Sequence, residues 1–103
     1  MITITFTNKN GECNGFTAYG HAGYAEIGKD IVCAAVSALV QGTIAAINNM
    51  TICETEVSEN IIGGIHFQVQ VPDITTQTLL AGLEIALNEL QEEYGAYLEV
   101  CHG

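Results

Sequence analysis

Apolar and polar positions alternate from the start of the chain: Ile2, Ile4 and Phe6 are separated by Thr3, Thr5 and Thr7. A period of two built from β-branched residues predicts a half-buried strand. Asn8-Lys9-Asn10-Gly11 predicts the turn that follows, because an Asn-Gly pair is a strong hairpin signal. A second strand is expected from about Glu12 to Tyr19. Glycines at 20, 23 and 28 then predict a loop from Gly20 to Gly28, with backbone freedom for positive φ and for movement. From Ile31 to about Asn48 there is no proline and one glycine, Gly42, so a helix is predicted. Asp30 is the expected N-cap, with Gly28 and Lys29 as alternatives, and Asn48-Asn49 the expected end.

The predicted helix carries a stripe of Val32, Val36, Leu39, Val40, Ile44 and Ile47, with small residues such as Ala34, Ala35, Ala38, Ala45 and Ala46 elsewhere and no charge at all. A helix without a charged face is usually buried on most sides. Further on, alternation predicts a strand in Thr51–Val57, a turn region over Ser58–Gly64, and a strand running from Ile65 through Phe67 and Val69 to Val71. Pro72-Asp73 stops that strand, and Asp73 or Thr75 can cap a second helix. Leu79, Leu83, Leu87, Leu90 and Tyr94 mark its apolar face, opposite Glu84, Asn88, Gln91 and Glu92. Gly95 is expected to end it, and Tyr97–Cys101 to form a closing strand. The order ββαββαβ predicts an α+β domain, a mostly antiparallel sheet packed with two helices, spanning residues 1–103 as one unit.

Composition adds a partner to this picture. Apolar residues make up 49% of the 103 residues and charged residues only 14%, which favours hiding apolar surface against a second copy, a homodimer. Twelve acidic residues against Lys9 and Lys29 give a formal charge of −10. That balance disfavours direct nucleic-acid binding and anionic membrane surfaces, and draws in a basic partner. The N-terminus reads as a strand and not as a signal peptide, and no apolar run is read as approaching the length of a membrane span. Cys13, Cys33, Cys53 and Cys101 form no Cys-x-x-Cys pair, so reduced thiols and a cytoplasmic location are expected.

Chemistry concentrates between His21 and Ser37. With Asp30 as N-cap, Cys33 falls at the third helical position, where backbone N–H groups and the helix dipole favour the thiolate. On position alone a core thiol is the better reading, because cysteine is among the most buried residue types. His21 shifts the balance: a strand end and a helix start joined by one loop can be adjacent, and histidine is the usual proton acceptor for a thiol. Asp30 and Ser37, at −3 and +4 from Cys33, lie near it on a helix. Asp30 reads as a cap, and Ser37 as a thiol neighbour or a small packing residue. Cys13, Cys53 and Cys101 are expected in strands, His66 on a solvated face, and His102 at a mobile terminus. No ligand spacing supports a metal, and the glycines lack the Lys-Ser/Thr ending of a phosphate loop, so no cofactor is implied.

Gly20-His21-Ala22-Gly23 followed by Gly28-Lys29-Asp30-Ile31-Val32-Cys33-Ala34-Ala35-Val36-Ser37 resembles the signature of the ribosomal-processing cysteine protease (Prp) family. The resemblance implies a homodimeric cysteine endopeptidase that removes the N-terminal extension of a large-subunit ribosomal protein precursor of the L twenty-seven family. It maps the nucleophile onto Cys33, the histidine onto His21 and supporting roles onto Asp30 and Ser37. Ile27 stands where many relatives are expected to carry an aromatic residue. In the expected mechanism N–H groups at the helix start hold the oxyanion and the Gly20, Gly23, Gly28 loop covers the peptide. The competing readings are a non-catalytic module that binds a ribosomal protein, and a redox-sensing thiol protein.

Overall fold

The structure is a computed structural model that describes residues 1–26, 29–59 and 64–102. Its elements are β1 (Ile2–Lys9), β2 (Glu12–Gly20), α1 (Ile31–Met50), β3 (Thr55–Glu59), β4 (Ile65–Val69), α2 (Ile74–Tyr94) and β5 (Leu98–His102). The predicted ββαββαβ order and α+β class hold. The strands form one sheet in the order β3-β4-β2-β1-β5. Pairing is antiparallel except between β1 and β5, which run parallel.

Local chemistry explains most boundaries. Asn10 and Gly11 both take positive φ, 55° and 80°, as the tight turn between β1 and β2 requires. Asp30 and Asp73 cap the two helices through their carboxylates. Thr51 closes α1: its N–H and its hydroxyl both donate to the Ile47 carbonyl, at 3.1 and 2.8 Å. The Cys53 N–H donates in turn to the Thr51 hydroxyl. These bonds hold 51–53 against the helix end, so β3 begins at Thr55 and not at Thr51 as alternation predicts. Cys53 therefore precedes the strand, whereas Cys13 and Cys101 do lie in strands. The helix also runs to Met50, past Asn48 and Asn49. Asn49 Nδ2 donates to the Ala45 carbonyl, and Asn48 Oδ1 accepts from the Thr55 hydroxyl.

The core lies between the helices and one face of the sheet. Ile2, Ile4 and Phe6 of β1 meet Phe16, Phe67, Val69 and Leu98 from the other strands. From α1 come Val32, Val36, Val40 and Ile47, and from α2 come Leu80, Leu83 and Leu87 with Thr76. Truncating Phe16, wholly buried, to alanine costs about 3–5 kcal/mol. Leu80 replaces Leu79 at the centre of the α2 stripe, a small rotation of the predicted face. Helix α1 is in fact long and apolar enough, by length and composition, to cross a membrane. That differs from the sequence expectation; here one apolar stripe packs on the sheet, and the burial on most sides expected of an uncharged helix is not seen within the chain. His102 is likewise held and not loose: its Nε2 is 2.6 Å from Glu84 Oε1, and its ring lies against Phe6.

Candidate active site

The chain leaves β2 at Gly20 and must turn over the start of α1. Gly20 has φ +96°, and a Cβ there would stand 2.3 Å from the Met1 carbonyl oxygen, so only glycine fits this corner. Gly23 also has positive φ; Ile27 and Gly28 lie outside the described residues. The corner delivers His21 to the helix start. His21, Cys33 and Ser37 line one cavity of about 240 Å³ together with Ile2, Ala18, Val36 and Ile65. The same three residues line a second cavity, about 500 Å³, with Gly23, Asp30 and Ala34. The half-buried thiol thus stands between two hollows, and an exposed imidazole borders both. No hydrogen bond joins the His21 ring to Cys33 Sγ among the described residues.

Asp30 organises the thiol from two sides. Its Oδ1 accepts from the N–H groups of Val32 and Cys33, at 3.0 and 2.9 Å. Its Oδ2 accepts from Tyr24 at 3.0 Å and Ala25 at 3.5 Å, in the loop. One carboxylate therefore ties the loop to the helix start. These donors hold the Asp30 carboxyl below the usual carboxylate range, the Cys33 N–H most of all, with Tyr24, Ala25 and the Cys33 thiol adding to it against an opposing desolvation. Three N–H groups at the helix start already have partners. Val32 and Cys33 donate to Asp30 Oδ1, and the Ala34 N–H to the Asp30 carbonyl. The N–H aimed at the sulfur is that of Ala22, 3.3 Å from Cys33 Sγ.

Two features of this arrangement escape a reading of the residues. A backbone donor such as Ala22 N–H has no signature in the sequence. Tyr24 packs edge-on against Tyr94 and Tyr97, at centroid distances of 5.7 and 5.2 Å, and so pins the loop to α2 and the segment after it. An aromatic residue inside a glycine loop was the available signal. Ser37 does flank Cys33 as expected, and its hydroxyl accepts from Gln41 Nε2 at 3.0 Å. Two of the other thiols are pushed toward the protonated form. Burial pushes the Cys13 thiol up, and Glu99, hydrogen-bonded to Cys101, pushes that thiol up as well. No cluster of three or more His, Cys, Asp or Glu suited to a metal occurs among the described residues.

Known proteins share this fold. The family model described as cysteine protease Prp matches residues 1–99. The ribosomal processing cysteine protease Prp of Staphylococcus aureus (strain Mu50) is 34% identical over 98 residues, covering 91% of this chain and 92% of that protein. The crystal structure of the S. aureus protease with a covalently linked product peptide superposes with a TM-score of 0.92 at 28% identity, covering 100% of both chains. Its complex with a substrate peptide gives a TM-score of 0.83, also at 28% identity and over 100% of both chains. The chain belongs to the Prp family of cysteine proteases.

Proposed function

We propose that the chain removes the N-terminal extension of a large-subunit ribosomal protein precursor of the L twenty-seven family, with Cys33 as nucleophile and His21 as its proton acceptor. The observation that carries the assignment is the position of Cys33 between two cavities that His21 also lines. His21 takes the thiol proton and the sulfur attacks the scissile carbonyl. The Ala22 N–H, already directed at the sulfur, supplies a hydrogen bond to the oxyanion. His21 then protonates the leaving amine, and water releases the acyl-enzyme. Asp30 keeps the Ala22 loop and the helix start in register, and Ser37 lines the peptide path. The apolar wall of Ile2, Ala18, Val36, Val40 and Ile65 receives an apolar side chain of the peptide.

The charge of −10 attracts a basic precursor, so cleavage should slow as salt rises. The protein acts as a homodimer in the cytoplasm, where its thiols stay reduced. Sedimentation at micromolar concentration should read twice the chain mass. The decisive experiment incubates the extended precursor with the wild type, Cys33→Ala and His21→Ala. Cleavage by the wild type alone supports the proposal. An intact precursor with the wild type, or cleavage by Cys33→Ala, defeats it.

A further inference from the structure

The apolar cavity beside Cys33 is not closed at its far end. It shares Ala18, Tyr19 and Ile65 with a neighbouring cavity of about 350 Å³, whose wall carries Glu59. Glu59 is the last residue of β3, the edge strand, and stands opposite Ile65. Thr55 and Val57, on the same face of β3, stand opposite Val69 and Phe67, both buried in the core. Glu59 therefore occupies a register position on the helix side of the sheet, where the strand pattern favours an apolar residue. It also shares a hollow with Gln41, Ile44 and Ala45 of α1, which puts it on the same side as Cys33.

This carboxylate makes no ion pair among the described residues. The two lysines, Lys9 and Lys29, lie at the end of β1 and just before α1, and the titratable side chain that lines the same cavity as Glu59 is His66. An exposed acid in a cavity next to the apolar one is suited to a long basic side chain of a neighbouring peptide residue, whose head meets the charge.

We infer that Glu59 is a specificity-determining residue, whose carboxylate receives a lysine or arginine side chain of the bound peptide at one fixed distance from the scissile bond. The inference rests on Cys33 as the nucleophile. A charge on an edge strand has another use, since it discourages pairing with a second sheet. That use would leave peptide selection unchanged when the charge is removed.

The test starts from a charge-neutral peptide that spans the processing site. A single lysine is walked along it, with glutamine at the same position as the reference. The kcat/KM of each peptide is measured with wild type, Glu59→Gln and Glu59→Lys. Lysine at one position should raise kcat/KM of the wild type roughly three- to fivefold, the size expected of an exposed charge pair. Glu59→Gln should erase that gain, so that it cleaves the lysine and glutamine peptides alike. Glu59→Lys should prefer glutamate at that same position. The inference falls, with the Cys33 assignment intact, if the neutral peptide is cleaved but no position stands out, or if the gain survives in Glu59→Gln. If the wild type cleaves none of the peptides, the Cys33 assignment fails and the inference with it.

Discussion

The two helix starts of this molecule are capped alike and open differently. Asp30 caps α1 and Asp73 caps α2, and each has a cysteine sulfur close by. At α2, Asp73 Oδ1 accepts from the Thr76 N–H at 2.7 Å, and the buried Thr76 hydroxyl donates to Cys53 Sγ at 3.5 Å. Cys53 lines neither of the cavities that flank Cys33. At α1, the second carboxylate oxygen reaches out of the helix to the Tyr24 and Ala25 amides, and the thiol opens onto both cavities. A thiol near a capped helix start is therefore not a site in itself. The loop that the cap also holds, and the space it leaves for a peptide, make the difference.

The largest test of this contrast exchanges the thiols. Cys33→Ala should lower kcat/KM by roughly 10⁴-fold or more, as loss of a nucleophile does. Cys53→Ala should stay within about twofold of wild type while lowering thermal stability slightly. Equal losses of activity would erase the distinction between the two helix starts.

A smaller effect separates the caps. Asp30→Ala and Asp73→Ala should each lower Tm by a few degrees, because each removes an N-cap. Only Asp30→Ala should also lower kcat, by about ten- to a hundredfold, since it releases the loop that carries His21 and Ala22. Peptide hydrolysis and thermal melts on the same samples separate the two outcomes. A kcat loss of the same size in Asp73→Ala would show that general destabilisation is the cause.

Acid gives the smallest and most symmetrical effect. The Asp30 and Asp73 carboxyls both sit below their usual range, chiefly through the backbone N–H groups of Cys33 and Thr76. A depressed pKa means that the stabilisation is fully present above the ordinary carboxylate range. It is lost as pH falls through the folded-state values. Denaturant midpoints measured across that range should drop for the wild type. They should drop less steeply for Asp30→Asn and Asp73→Asn, which cap without titrating. Parallel curves would contradict the capping account.

What was legible in the sequence was local. Asn10-Gly11, Asp30 and Asp73 act on backbone within three residues of themselves, so their roles follow from residue type. The nearness of His21 to Cys33 followed from a short loop joining a strand end to a helix start. The start of β3 was misplaced because alternation over Thr51–Val57 competes with the Thr51 bonds to Ile47, which pattern alone does not reveal. The parallel placement of β5 beside β1 and the hollow shared by Glu59 and Ile65 depend on pairings between distant strands. That the Ala22 N–H faces Cys33 Sγ was hidden for a related reason. Which backbone N–H groups remain free is decided by the path of the loop, and side-chain identity carries no record of it.

The central claim, that Cys33 alone carries the acyl group, is tested most directly by trapping that group. Wild-type protein turning over the extended precursor is quenched in acid, and peptide mass spectrometry locates the adduct. A thioester of the precursor's extension on Cys33, absent from Cys13, Cys53 and Cys101, is the predicted result. An adduct on one of those three, or turnover that continues in Cys33→Ala, would contradict it.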